Sequence, residues 1–136
     1  MGLEQYIEDN TLPSPLRKVL QDASRRLAGN PGSPQDLTVT QLQTLSQIYD
    51  DTYWQHNGFD EKLRHITLHM GKLLGKLAEY CENKEHAGQM PPERIASEVM
   101  PDLLFYSLQL ANLFEKRLEV SYILRLGENI KRQGNY

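Results

Sequence analysis

The sequence predicts an all-α fold from three observations. Apolar residues recur at three-to-four spacing through every long segment, valine and threonine are sparse, and no alternating run is bounded by a hairpin turn. Two stretches rich in glycine and proline, Gly29 to Pro34 and Gly88 to Pro92, punctuate the chain. With 136 residues it has the size of one domain. We read residues 1–36 as an N-terminal arm and residues 37–136 as the main helical domain.

Taken in order, the arm should contain one amphipathic helix. Ser14 can cap it, Pro15 suits its first position, and Gly29 with Pro31 stops it. Leu16, Val19, Leu20, Ala23 and Leu27 make one stripe, and Arg17, Lys18, Arg25 and Arg26 make the rest basic, so the stripe must be covered, by its own domain or a dimer mate in preference to a different protein. A second helix begins near Thr38 or Thr40 and is marked by Leu42, Leu45, Ile48, Tyr49 and Thr52 as far as Trp54, with His56-Asn57-Gly58 as its stop. Asp60 then caps a long helix whose buried face is Leu63, Ile66, Met70, Leu73, Leu74, Leu77 and Cys81. A polar stripe of His65, His69, Lys72, Lys76 and Glu79 runs beside that face. A loop over Asn83 to Pro92 precedes a helix apolar on two faces, Ile95, Val99, Leu103, Tyr106, Leu110 and Leu113 on one and Met100, Leu104, Ala111 and Phe114 on the other. Such a helix is central to a bundle or shared with another subunit. Pro101 inside it predicts a kink, because proline gives no N–H to Ser97. The last helix runs from about Leu118 to Arg132.

Composition narrows the function classes. A net charge of −3 with 24% charged residues gives no general attraction to nucleic acid or to an anionic membrane, so neither is an expected partner. Cys81 is the single cysteine, which rules out an intrachain disulfide and fits a reducing cytoplasm. No apolar run approaches the roughly 20 residues that span a bilayer. The first ten residues lack the basic start and apolar core of a signal peptide, so a cytoplasmic location is expected.

The stretch from Leu68 to Glu79, LHMGKLLGKLAE, followed by Glu98 to Asn112, EVMPDLLFYSLQLAN, resembles the two core helices of the MazG-type nucleoside triphosphate pyrophosphohydrolases. In that family the first helix reads approximately Glu-Glu-x-Gly-Glu-Leu-Ala and the second Glu-Glu-Leu-Ala-Asp-Val-Leu-Phe-Tyr. The similarity covers about Leu37 to Arg132, which implies a MazG-like helical bundle with an extra N-terminal helix. Family enzymes place a Glu-x-x-Glu opposite a Glu-x-x-Asp so that hard magnesium ions meet several carboxylates at one point. The metals clamp a polyphosphate while water attacks, releasing pyrophosphate and a nucleoside monophosphate.

Carried over position by position, the four acidic sites of the family fall on Leu73, Lys76, Val99 and Asp102, and only Asp102 keeps its carboxylate. Lys72 replaces a further glutamate. The resemblance therefore implies a degenerate metal site in which the Lys76 ammonium takes the place of the cation and pairs with Asp102. In the final helix Arg125, Asn129 and Arg132 match family positions that contact phosphate, so Lys72, Lys76, Arg125, Asn129 and Arg132 form a possible nucleotide or phosphate set. The alternative for the three in the last helix is a cationic C-terminal turn that complements the helix dipole. Weaker metal candidates are His65 and His69, at zinc-compatible spacing, and a shifted acidic set of Glu79, Glu82, Glu98 and Asp102. Cys81 reads as a small buried hydrophobe, not a nucleophile.

These readings lead to one preferred expectation: a MazG-like protein with a degenerate site, working as a binding or scaffolding module, still receptive to a nucleotide or phosphate, and needing no cofactor. It would form a homodimer or homotetramer and engage a protein partner through its basic N-terminal helix or the former pocket. The alternative is an active magnesium-dependent nucleoside triphosphate pyrophosphohydrolase that uses the shifted acidic residues.

Overall fold

The computed structural model describes residues 3–29, 36–85 and 90–134. Among these residues the chain is helical and contains no strand. In chain order the helices are α1 (Leu3–Glu8), α2 (Ser14–Gly29), α3 (Val39–Tyr53), α4 (Phe59–Glu85), the single turn α5 (Pro92–Arg94), a π-helical turn (Ile95–Val99), α6 (Met100–Leu113) and α7 (Leu118–Gln133). Most of the Gly/Pro stretch from Gly29 to Pro34 and the centre of the expected loop from Asn83 to Pro92 lie outside the described residues. No described helix is long and apolar enough to cross a membrane.

The helices fall into two compact units. One comprises residues 1–38 and 119–136, and the other is Val39–Leu118. The C-terminal helix α7 thus groups with α1 and α2, not with the helices that precede it in sequence.

In the first unit the arm's amphipathic helix finds its cover. Leu16 and Leu20 of α2, Tyr6 of α1 and Ile123 of α7 are buried together, with Ile7, Leu12, Leu126 and Ile130 packed around them. Of the predicted stripe, Val19 and Leu27 remain exposed. The short helix α1, absent from the sequence reading, contributes Tyr6 to this core. Helix α2 accepts its first backbone bond at Pro13, from the Arg17 N–H, which places Ser14 inside the helix instead of at its cap. Gly127 of α7 is explained by Leu16: a Cβ at position 127 would lie 3.0 Å from Leu16 Cδ2, and Leu16 is itself almost fully buried.

In the second unit α6 packs against both α3 and α4, so it is the central helix that its two apolar faces suggested. Of the first predicted face Val99 is buried and Ile95, Leu103, Tyr106, Leu110 and Leu113 are half-buried; of the second, Ala111 is buried but Met100, Leu104 and Phe114 are exposed, and Leu108, assigned to neither face, is buried as well. Just before Pro101, where the sequence predicts a kink, the chain makes a π-helical turn in which the Met100 N–H reaches Ile95 O. Such turns occur where the regular ladder is interrupted. Pro101 interrupts it here because it has no N–H to give Ser97. At its other end α6 closes with Glu115 at φ 54°, the Glu115 N–H on Asn112 O and the Lys116 N–H on Ala111 O. That pair of bonds is a Schellman cap, usually formed by glycine at the left-handed position.

Two expectations are corrected. Leu74 and Cys81, placed on the buried face of α4, are exposed, whereas Ile66 and Leu73 are buried as the periodicity requires. The buried face is narrower than the apolar stripe because the main packing against this helix within the unit comes from one side, from α6 and the π turn. In α3 the apolar residues that mark the helix are not the ones it buries. Leu45, Ile48 and Tyr49 are exposed, and Ser46 and Asp50 are inside.

Gly127→Ala should lower the stability of the protein by about 1 kcal/mol in chemical denaturation. The clash with Leu16 costs roughly 1–3 kcal/mol, which outweighs about 1 kcal/mol of improved helix propensity. Gly75→Ala, where an added Cβ meets nothing within 4 Å, isolates the propensity gain and should stabilise. Equal gains in the two variants would refute the steric role of Gly127.

Candidate functional site

The polar face of α3 builds the site. Gln43, Ser46, Gln47 and Asp50 recur at helical spacing, so they share one side of the helix. Opposite them α6 presents Gln109 and Asn112. Gln43 acts as a clamp: its Nε2 donates to Asn112 Oδ1 at 3.1 Å and to Lys116 O at 2.8 Å, and its Oε1 accepts from the Leu118 N–H at 2.9 Å. Asn112 Nδ2 answers by donating to Gln43 O at 2.9 Å. The clamp holds the end of α6 and the turn after it against the start of α3.

One helical turn deeper lies the most buried polar pair. Gln109 Nε2 donates to Asp50 Oδ1 at 2.6 Å, and the two residues are 3% and 6% exposed. Because the carboxylate needs a donor, the amide orientation is set, and Gln109 Oε1 is left buried without a hydrogen-bond partner. Burial pushes the Asp50 carboxyl above its ordinary value, while the bond from Gln109 and the charge of Lys62 pull it back.

Two clefts flank this pair. The first, about 230 Å³, is lined by Gln47, Asp50, Lys62, Gln109, Asn112 and Glu115, with Trp54 and Ile66 among its apolar walls. The Lys62 ammonium sits 5.5 Å from the Trp54 ring centroid, a cation–π distance. The second, about 220 Å³, is walled by Tyr49, Tyr53, Trp54, Phe105 and Tyr106. His65 and Gln109 complete it. His65 meets the Trp54 ring edge-on at 4.9 Å and lies 4.2 Å from the His69 ring, which stacks on Tyr106 at 5.3 Å. Burial, then the neighbouring His69, holds His65 below the ordinary imidazole range. Burial also raises Tyr106, helped by Asp102 and Tyr49.

The residues singled out from sequence are brought together only in part. Leu73 and Val99, at two of the family's acidic positions, are packed in the core. Lys76 forms its ion pair with Glu98, at 3.6 Å, instead of with Asp102. Arg94 reaches the same Glu98 oxygen at 3.3 Å. The π turn carries Glu98, so α4 reaches this carboxylate before it reaches Asp102, which is exposed on the first turn of α6. Lys72, Glu79 and Glu82 are also exposed. Arg125, Asn129 and Arg132 project from α7, which belongs to the other compact unit.

Among the described residues no three His, Cys, Asp or Glu side chains are grouped so as to hold a metal ion. His65 and His69 thus come together without a third ligand, and Glu79, Glu82, Glu98 and Asp102 do not converge. The magnesium site that the resemblance implies does not fit these residues, because two of its positions are buried apolar side chains and a third is an ion-paired ammonium.

The sequence reading assigned none of Asp50, Lys62, Gln109 and Trp54 to a site. Gln43, Ser46, Gln47 and Asp50 form a polar stripe at helical spacing, but a solvated helix face carries the same pattern. No family model, curated protein or solved structure matches this chain significantly.

The raised Asp50 carboxyl fixes a pH dependence. The folded protein holds this proton more tightly than the unfolded chain, so the associated stability is fully present below the unfolded value and is lost as pH rises through the folded one. Asp50→Asn, which keeps an acceptor for Gln109, should therefore be more stable than the parent at pH 7, with the difference closing toward pH 4 in denaturant titrations. Gln109→Ala strips Asp50 of its donor and should cost about 1–3 kcal/mol at pH 7. A parent stability that rises between pH 4 and pH 7 relative to Asp50→Asn would contradict this assignment.

Proposed function

We propose that this chain is a MazG-like protein with a degenerate metal site, acting as a binding module for a nucleotide or a similar hydrogen-bonding ligand. The observation that carries the reading is the buried Asp50–Gln109 pair at the wall of a polar cleft. Buried polar groups left with spare hydrogen-bonding capacity are costly unless something uses it. The cleft joins that capacity to a cation, Lys62, and an aromatic surface, Trp54. A nucleotide uses all three: base edges for the amide and carboxylate, a ring for the indole, and phosphate for the ammonium. Lys72 and Lys76 on α4 add positive charge to the same unit.

The observations favour binding over hydrolysis. Clamping a triphosphate through magnesium takes several convergent carboxylates. At the corresponding positions stand Leu73, Lys76 and Val99, and Lys76 is engaged with Glu98.

Purified protein mixed with nucleoside tri-, di- and monophosphates, with and without magnesium, tests this through thermal stability and pyrophosphate release in the same wells. The expected result is a rise in melting temperature of at least 2 °C, roughly the effect of saturating a weak site, without pyrophosphate. Lys62→Ala should abolish it. Magnesium-dependent release of pyrophosphate would establish the alternative, an active pyrophosphohydrolase. Silence in both readouts would discard nucleotide binding.

The same proposal includes self-association. Leu45, Ile48 and Tyr49 of α3 and Met100 and Leu104 of α6 leave an apolar face on the central unit, with a shallow cleft of about 280 Å³ along it. Exposed apolar surface of this kind marks interaction sites, and a second copy presents the matching surface. Sedimentation should show a dimer or tetramer that Ile48→Glu converts to monomer. A monomeric parent at micromolar concentration would remove this part of the reading.

A further inference from the structure

We propose that the polar cleft selects a guanine base, which it reads through the carboxylates of Asp50 and Glu115. The inference rests on the nucleotide reading of this cleft and names the base. It follows from what each lining side chain has left to offer once its bonds within the protein are made. Asn112 donates to Gln43 O and accepts from Gln43 Nε2. Gln47 gives its amide to Asp51 Oδ1 at 2.9 Å and keeps Oε1 as an acceptor. Asp50 accepts from Gln109 through Oδ1, and among the described residues its Oδ2 has no partner. Although Asp50 is only 6% exposed, Oδ2 is not sealed in the way that Ser46 Oγ and Gln109 Oε1 are, which are fully buried without a partner. Asp50 lines the polar cleft, and Oδ2 opens there. Glu115 lines the same cleft from an exposed position, and no described residue pairs with its carboxylate.

The second N–H of each amide is a neutral donor, whereas the two carboxylates are charged acceptors, and hydrogen bonds to a charged group are roughly twice as strong. Burial raises the Asp50 carboxyl, but the Gln109 bond and the Lys62 charge both favour its ionised form, which can only accept. The backbone adds a second observation. Glu115 holds φ 54° in the cap of α6, a position that glycine fills without strain. A side chain kept in such a conformation is held there at a cost in stability, and residues of this kind cluster at ligand clamps.

Two acceptors with spare capacity call for a base edge that presents two donors. Guanine presents them side by side, N1–H and the N2 amine. Adenine and cytosine set a ring-nitrogen acceptor beside their amine, which a carboxylate repels, and uracil has one N–H between two carbonyls. A site built to accept from a ligand N–H rejects the analogue that lacks it. Asp50 Oδ2 takes the N1–H, and Glu115, nearer to solvent, takes the N2 amine. Lys62 is left for the phosphate, and the volume of about 230 Å³ has room for a purine.

The test is calorimetric titration of the full-length protein, in neutral buffer without magnesium, with the monophosphates of guanosine, inosine, adenosine, cytidine and uridine. Inosine monophosphate lacks only the N2 amine. The guanine nucleotide should bind roughly tenfold more tightly than the inosine nucleotide, and by a wider margin than the other three. Glu115→Gly should bring guanosine monophosphate down to the affinity of inosine monophosphate and leave the latter unchanged, while the melting temperature rises because the cap is relieved. Asp50→Asn must keep its oxygen toward Gln109, so it turns an N–H toward the N1–H of the ligand and should weaken both purines roughly tenfold. Both variants are expected to be at least as stable as the parent at neutral pH, so neither loss can come from unfolding.

A Glu115→Gly protein that still prefers guanosine to inosine monophosphate would overturn the assignment, as would equal binding of all five nucleotides or a preference for adenosine, cytidine or uridine. Those results would leave the nucleotide reading standing. No heat with any of the five would remove that reading and this inference together.

Discussion

The central unit depends on a polar seam in a place where a helical bundle ordinarily has an apolar one. Gln43 clamps Asn112, the Lys116 carbonyl and the Leu118 amide, and Gln109 binds Asp50 one turn deeper. Hydrogen bonds in a low-dielectric interior are directional and costly to leave unmade, so a seam of this kind sets the register between two helices more strictly than leucines would. Sliding α3 along α6 by a turn would break every one of these bonds together. The cost is desolvation of the Asp50 carboxyl, which its raised proton affinity records.

Committing the polar side of α3 to the interior forces its apolar side outward. Leu45, Ile48 and Tyr49 are exposed for the same reason that Ser46 and Asp50 are buried. Both clefts open beside the seam. Gln109 lines both of them, and Trp54, whose backbone N–H binds the Asp50 carbonyl at 2.7 Å, forms a wall of each. A single buried pair therefore places the hydrogen-bonding groups, the indole and the aromatic ring of side chains within one small region.

The first unit shows ordinary packing logic. A basic amphipathic helix covers its stripe with Tyr6 and Ile123, and the one unusual residue, Gly127, is small because Leu16 stands over it. Here the periodicity of α2 translated directly into burial at Leu16 and Leu20, since both of its neighbours present apolar surface. In α3 the same kind of periodicity located the helix but not its inner face. Periodicity reports which residues share a side. Which side is covered depends on the complement that another helix offers, and α6 offers Gln109 and Asn112.

The sequence by itself determined the helical class, the positions of the long helices to within a few residues, and the absence of a carboxylate at positions 73, 76 and 99. Those are local properties, carried by spacing, by caps and by side-chain chemistry at single positions. It also placed His65 and His69 on one face, because residues four apart on a helix must adjoin. Only the tertiary structure decided that Lys76 meets Glu98, that α7 groups with α1 and α2, that Cys81 is exposed, and that Asp50, Lys62, Gln109 and Trp54 share a site. Asp50 and Gln109 stand 59 residues apart. Nothing local distinguishes either from a solvated polar residue, and their meaning arises from the contact between them.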